Sequence, residues 1–318
     1  MKRLAGLFCL LAALGGCARK DRKLVVGVVP KGQAHIFWQT VHAGAAAAGQ
    51  ELGVEIRWNG PAVETEFSRQ LQIVESMINA RVDAIVLAPT DQTALVSVVE
   101  RAAREKIPVA IFDSAIDSEK YVSFVATNNF AAGQMAARRI GQALGGKGDV
   151  AMLMNMPGSA STLEREKGFE EALGREFPGL RVVVRQFGMS DRAKSLGVAE
   201  DILTAYPELN GMFASNEPGS VGGAQALKLR RLERKVKLVG FDSSPTLIDD
   251  LKAGAIDALV VQDPFQIGYT AVKSVVAKLR GETPARRIDS PARVVTAGDL
   301  GQPDVERLLH PDLSKYLQ

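Results

Sequence analysis

Cysteine is nearly absent. The chain has two, Cys9 and Cys17, and both precede the first strand-like run at Leu24. The remainder has no disulfide and no cysteine metal site, so its stability must come from a buried core. Histidine is scarce as well. His35, His42 and His310 show no metal-ligand spacing, and no zincin or nucleophile-elbow motif is present. No metal and no cofactor is expected. Repeats, low-complexity stretches, long charge runs and a Gly/Ser linker are also missing. The stretch from Gly141 to Gly148 approaches a phosphate loop. It follows a helix and lacks the Ser/Thr that would hold magnesium, so it reads as a helix cap and turn.

The chain begins with a basic pair, Lys2 and Arg3, and a short apolar run from Leu4 to Leu14. That run is too short to span a bilayer and matches a secretory signal over residues 1–16. Leu14-Gly15-Gly16-Cys17 resembles the lipobox of bacterial lipoproteins. The resemblance implies cleavage before Cys17, a lipid on its thiol, and residues 17–23 as a tether to a membrane. The whole chain has 39 Lys+Arg and 36 Asp+Glu. Six of the bases and one acid precede Leu24, leaving 33 against 35 in the rest, a net charge of −2. The basic character is therefore confined to the leader, and nucleic-acid binding is not expected.

From Leu24 the sequence alternates strands and helices, with about 295 residues available for two domains. Leu24 to Val29 is a β-branched run broken at Pro30-Lys31-Gly32. A short loop carrying His35, Phe37 and Trp38 then leads into a helix with Val41, Ala45 and Ala48 on one face. The two aromatics can form a ligand platform or close the core beneath the loop. Further strands are expected at Val54–Trp58, Ala84–Ala88, Val109–Phe112 and Tyr121–Ala126, with helices at Glu66–Ala80 and Ala94–Lys106. A second series has helices at Phe130–Leu144, Leu163–Arg175, Asp191–Ala205 and Ile267–Leu279. Its strands are Asp149–Met154, Leu180–Gln186, Gly211–Ala214, Val236–Phe241, Ala258–Val261 and Arg293–Thr296. The tail from Gly298 is polar with scattered Leu and is expected to drape over the surface.

Several strands end in a polar residue: Asp113, Asn128, Asn216, Asp242 and Gln262. Each alone can cap the following helix. Together, from two α/β halves, they can converge on one cleft, since ligands bind beyond the carboxyl ends of strands in open α/β sheets. Asp accepts from two hydroxyls, Asn and Gln both donate and accept, and aromatic faces cover the C–H face of a sugar ring.

In this context Phe37-Trp38, Ile107-Pro-Val-Ala-Ile-Phe-Asp113, Leu163-Glu-Arg165-Glu-Lys-Gly-Phe169, Phe213-Ala-Ser-Asn216-Glu217, Val239-Gly-Phe-Asp242 and Val261-Gln262 carry a specific likeness. In order and spacing they resemble the ribose-type periplasmic substrate-binding proteins of ABC transporters, from about Leu24 to about Val295. The resemblance implies an α/β fold of two doubly wound parallel-sheet domains joined by a three-crossing hinge that closes on ligand. The lobes would be residues 24–127 plus 263–291, and 128–262 plus 292–318. Asp113 and Asn216 would bind ring hydroxyls, Arg165 and Asp242 would do so with charge assistance, Phe37 and Trp38 would cover one face, and Gln262 would lie at the cleft base. His35 and Asn128 complete the candidate ligand contacts.

The departures are Ser114, where ribose binders have an Arg, Ser190, where they have an aromatic, and a longer first loop with Lys31, Gln33 and His35. Ribose therefore does not follow. The expected protein is a monomeric, non-enzymatic solute receptor of the periplasm or cell envelope, lipid-anchored through Cys17. It would pass a sugar or polyol to an ABC permease in the inner membrane. The rivals are a receptor for a membrane kinase or chemoreceptor and an exported glycosidase using Asp113 and Asp242. A repressor core shares the fold, but the export signal and missing helix-turn-helix oppose it.

Overall fold

A computed structural model describes residues 22–317. The signal sequence, Cys17 and most of the tether lie outside the described residues. In chain order the first series is β1 (Val25–Val29), α1 (Ile36–Leu52), β2 (Glu55–Trp58), α2 (Phe67–Asn79), β3 (Ala84–Leu87), α3 (Val96–Arg104), β4 (Val109–Phe112) and β5 (Ser123–Thr127). The second is α4 (Asn129–Ala143), β6 (Lys147–Met154), α5 (Ala160–Glu176), β7 (Gly179–Phe187), α6 (Arg192–Ala205), β8 (Gly211–Ala214), α7 (Glu217–Leu229), β9 (Lys237–Phe241), α8 (Pro245–Ala253) and β10 (Ala258–Gln262). The chain ends with α9 (Pro264–Leu279), β11 (Arg287–Ser290), β12 (Ala292–Val295), a 3-10 turn (Ala297–Asp299) and α10 (Pro303–Leu309).

The strands form two six-stranded sheets with matching order. The first runs β11-β5-β4-β3-β1-β2 and the second β12-β10-β9-β8-β6-β7. Pairing is parallel except for β12 against β10. Each sheet is the doubly wound 2-1-3-4-5 arrangement with one added edge strand. Strands β1, β3, β4, β8 and β10 are buried along their whole length, because helices cover both faces. The edge strand β2 alternates exposed Glu55 and Arg57 with half-buried Ile56 and Trp58. Between sheets the chain crosses at Asn128, at Asp263 and at Pro291.

Elements absent from the sequence reading have physical reasons. Helix α7 contains Gly219, Gly222 and Gly223, each of which lowers intrinsic helicity by roughly 1 kcal/mol relative to Ala. Packing overrides that penalty: a Cβ at Gly222 would meet the Leu196 amide nitrogen at 2.6 Å. Asn216 caps α7 by accepting from the Gly219 amide, and Pro218 sits in its first turn. Helix α8 has the same grammar with Ser244 and Pro245. The tail does not simply drape over the surface. Val305 and Leu309 of α10 join the second lobe's core, and Tyr316 reaches Phe265 of α9, ring centroids 5.5 Å apart.

Candidate functional site

The carboxyl ends of both sheets face one small, closed-down cavity. Its lining includes Lys31, His35, Phe37, Trp38, Glu64, Asp113, Asn155, Ser161, Thr162, Arg165, Asn216, Glu217, Asp242 and Gln262.

Asp113 follows β4 and Asp242 follows β9, the same position in the two lobes. Both backbones are left-handed, with φ of 59° and 65°. Each amide donates at 2.9 Å to the neighbouring strand, Asp113 to Val125 O and Asp242 to Val260 O. Left-handed non-glycine residues are uncommon, and Asp is among the few that tolerate the region. Neither residue is a helix cap. They are carboxylates turned out of the sheet edge by matched backbone geometry, at positions where strained residues concentrate in functional sites.

The aromatic pair is placed differently from the expectation. Phe37 and Trp38 lie in the first turn of α1 and not in a loop. They meet edge to face with centroids 4.9 Å apart, and Trp38 does the same with Phe112 at 6.2 Å. Both belong to the first lobe's core and both line the cavity, so the two readings of the pair hold together. Trp38 Nε1 donates to Glu64 Oε1 at 2.9 Å, and His35 Nδ1 lies 3.7 Å from the same oxygen. Glu64 therefore orients the indole. His42 is half-buried and stacked on Trp58, and burial lowers its pKa.

Arg165 projects from α5 and is buried. Its Nε donates to Asn129 Oδ1 at 2.8 Å and its Nη1 to Ser215 O at 2.9 Å, while the guanidinium lies 4.2 Å above the Phe241 ring. Among the described residues its Nη2 has no protein acceptor. Asn128, expected at the site, is exposed and does not line the cavity. Its side chain caps α4 by accepting from the Ala131 amide at 3.1 Å. The neighbouring Asn129 is the residue that reaches Arg165. Asn216 does both jobs: Oδ1 caps α7, Nδ2 donates to Asn155 Oδ1 at 2.9 Å, and the residue lines the cavity.

Gln262 ends β10. Its Nε2 donates to Asp242 Oδ1 at 2.7 Å, and its Oε1 is buried without a partner. An orphaned acceptor facing a polar cavity is suited to a ligand hydroxyl. Burial raises the Asp242 pKa to about 6, opposed by Arg165 and by the Gln262 hydrogen bond. Behind the site, burial raises Glu166 to about 7, although Ser215 Oγ and the Asn155 amide donate to it.

Lys31, Glu64, Asn155, Ser161, Thr162 and Glu217 also line the cavity, although none is among the site residues expected from sequence. Asn155 follows the apolar end of β6 and obeys the same strand-end rule as Asp113. Glu64 lies in an irregular loop and carries no periodic signal. Among the described residues no group of three or more His, Cys, Asp or Glu side chains is placed to hold a metal, and no helix is long and apolar enough to cross a membrane.

Two doubly wound lobes meeting over a small, hydrogen-bonding cavity define a two-lobed receptor for a small polar molecule. The chain belongs to the periplasmic binding protein domain family, whose model matches residues 26–283. It is 31% identical over 233 residues to the ribose import binding protein of Bacillus subtilis, covering 73% of this chain and 75% of that one. It is 31% identical over 257 residues to the D-allose-binding periplasmic protein of Escherichia coli, covering 78% and 82%. Among solved structures, a carbohydrate transporter solute-binding protein from Agrobacterium radiobacter in complex with D-arabinose superposes with a TM-score of 0.89. The identity is 34%, over 91% of this chain and all of that one. An ABC transporter solute-binding protein from Agrobacterium vitis with bound D-fucose gives 0.87 at 34% identity, over 90% and 100%.

Proposed function

We propose that this chain is the extracytoplasmic receptor of an ABC importer, binding a neutral monosaccharide or similar polyol between its lobes and releasing it chemically unchanged. The observation that carries this reading is the matched pair Asp113 and Asp242, one carboxylate from each lobe at equivalent strand ends, facing one cavity. A ligand that donates to both is held only when the lobes are together, so its affinity for the closed form exceeds that for the open form. That difference is what a ligand needs to shift the equilibrium. Phe37 and Trp38 offer an apolar face to a ring, while Arg165, Asn216 and Gln262 supply polar contacts around it. Relatives named for ribose and allose, and neighbours holding D-arabinose and D-fucose, support a pentose or hexose. The closed form would dock on a membrane permease, and lipid on Cys17 would keep the receptor at the membrane.

The test is a thermal-shift screen of the purified protein against pentoses, hexoses, deoxyhexoses and polyols. A true ligand at about a hundred times its dissociation constant adds roughly 2.7 kcal/mol of stability, a shift a melt resolves. The bound compound should be recovered intact. A well-folded protein that responds to none of these classes, or that returns a hydrolysed glycoside, overturns the reading.

A further inference from the structure

Lys31 follows β1 in the first lobe, yet its partners lie in both lobes. It is 2% exposed. Its ammonium is 2.9 Å from Asp113 Oδ2 in its own lobe. It also donates to Ser159 Oγ at 3.2 Å and Ser161 Oγ at 3.0 Å, at the start of α5 in the other lobe. An ammonium has three protons, and these three oxygens take them all. Beside it the Ser161 amide donates to Ser114 Oγ at 3.0 Å, and the Gln92 amide donates to Gly158 O at 3.0 Å. The lobes are thus joined on this side of the cavity by bonds that involve no ligand atom.

We infer that Lys31 is a latch, a positioning residue that holds the two lobes closed by tying Asp113 to Ser159 and Ser161. Opening removes the two serine hydroxyls from the ammonium but leaves it paired with Asp113. The buried charge is therefore never orphaned, and opening breaks the two serine–ammonium bonds, the Ser161 Oγ bond to Asp113 Oδ2 at 3.5 Å and the two backbone-amide bonds beside them. The charge-assisted bonds are stronger than neutral ones. The consequence is a closed population in the ligand-free receptor. Ligand then enters only through the open fraction, which sets its apparent association rate. This inference rests on the receptor reading of the same cleft, but its test needs no sugar.

The experiment is small-angle scattering of the ligand-free full chain, comparing wild type with the double variant Ser159→Ala, Ser161→Ala. The variant leaves the Lys31–Asp113 pair intact. The closed-to-open ratio should fall by about tenfold or more, as expected for losing hydrogen bonds to a charged group. The radius of gyration should rise accordingly. Ser161→Ala alone should expand the protein less, and it serves as the comparison if the double variant does not fold. Superimposable scattering from folded wild type and variant overturns the latch. So does a wild type already as extended as the variant.

Discussion

Gly133 of α4 lies against the backbone of Arg165 on α5. A Cβ at Gly133 would sit 1.9 Å from the Arg165 carbonyl oxygen. Gly168 returns the contact against Phe130 O at 2.0 Å. The first lobe repeats the device, with Gly44 against Phe265 O at 2.0 Å and Gly268 against Val41 O at 2.2 Å. In each lobe a helix carrying candidate binding side chains, α1 or α5, is set against its neighbour by a pair of glycines. The helix backbones touch there, so the origin of Phe37, Trp38 and Arg165 is fixed by backbone contact and not by adjustable side chains.

Gly133→Ala should therefore damage both stability and binding. Overpacking of this kind costs about 1–3 kcal/mol, and pushing α5 outward withdraws Arg165 from the cavity. Gly174, also on α5, has nothing within 4 Å of a built Cβ. Gly174→Ala should raise stability by about 0.4–1 kcal/mol and leave binding unchanged. Melting curves with and without ligand check both; equal behaviour of the two variants contradicts the packing argument.

Asp242→Asn should move stability and affinity in opposite directions. Removing a buried charge relieves its desolvation, so the ligand-free protein should melt higher, by an amount on the order of 1 kcal/mol. The amide cannot accept from two hydroxyls as the carboxylate does, so ligand affinity should fall more than tenfold. Calorimetry of the ligand identified by screening measures the second effect. A variant with wild-type affinity removes Asp242 from the site.

The Asp242 pKa, raised by burial from 3.8 to about 6, also fixes a pH dependence. The folded state holds this proton more tightly than the unfolded state. Its contribution to stability is present below pH 4 and is lost as pH rises through 4 to 6. Glu166, raised from 4.5 to about 7, acts in the same direction between pH 4.5 and 7. The ligand-free protein should thus become less stable from pH 5 to pH 8, apart from other groups. Ligand hydroxyls donating to Asp242 favour its charged form, so binding near pH 6 should release protons and tighten as pH rises. Titrations in two buffers of different ionisation enthalpy detect that release at pH 6 and its disappearance by pH 8.

Much of this architecture is legible because parallel strands buried on both faces spell unbroken β-branched runs, and those runs stop where the cavity begins. Asp113, Asp242 and Gln262 could be found by that rule alone. Asn128 could not be separated from Asn129, because a cap and a ligand contact use the same residue type one position apart. Helix α7 was hidden by glycines whose purpose is contact with Leu196 and Met212 across the lobe. Lys31 and Glu64 were visible as residues but not as site members. Their roles depend on partners distant in sequence, Ser159 and Ser161 at the start of α5 for one and Trp38 in α1 for the other, which no local pattern encodes.

The two asparagines at the β5–α4 junction offer a direct test of the site as corrected. Asn128→Ala removes a helix cap from an exposed position and should cost about 1 kcal/mol of stability with no change in affinity. Asn129→Ala leaves the Arg165 Nε without the acceptor that now holds it at 2.8 Å. The guanidinium would keep its contact with Ser215 O and the Phe241 ring but lose one of its two fixed hydrogen bonds. Because hydrogen bonds to charged groups are worth about 1.5–3 kcal/mol, affinity should drop about ten- to a hundredfold. Asn129→Asp keeps an acceptor and should restore most of it. Loss of ligand by the Asn128 variant, with Asn129→Ala unaffected, would place Asn128 in the site and remove Asn129 from it.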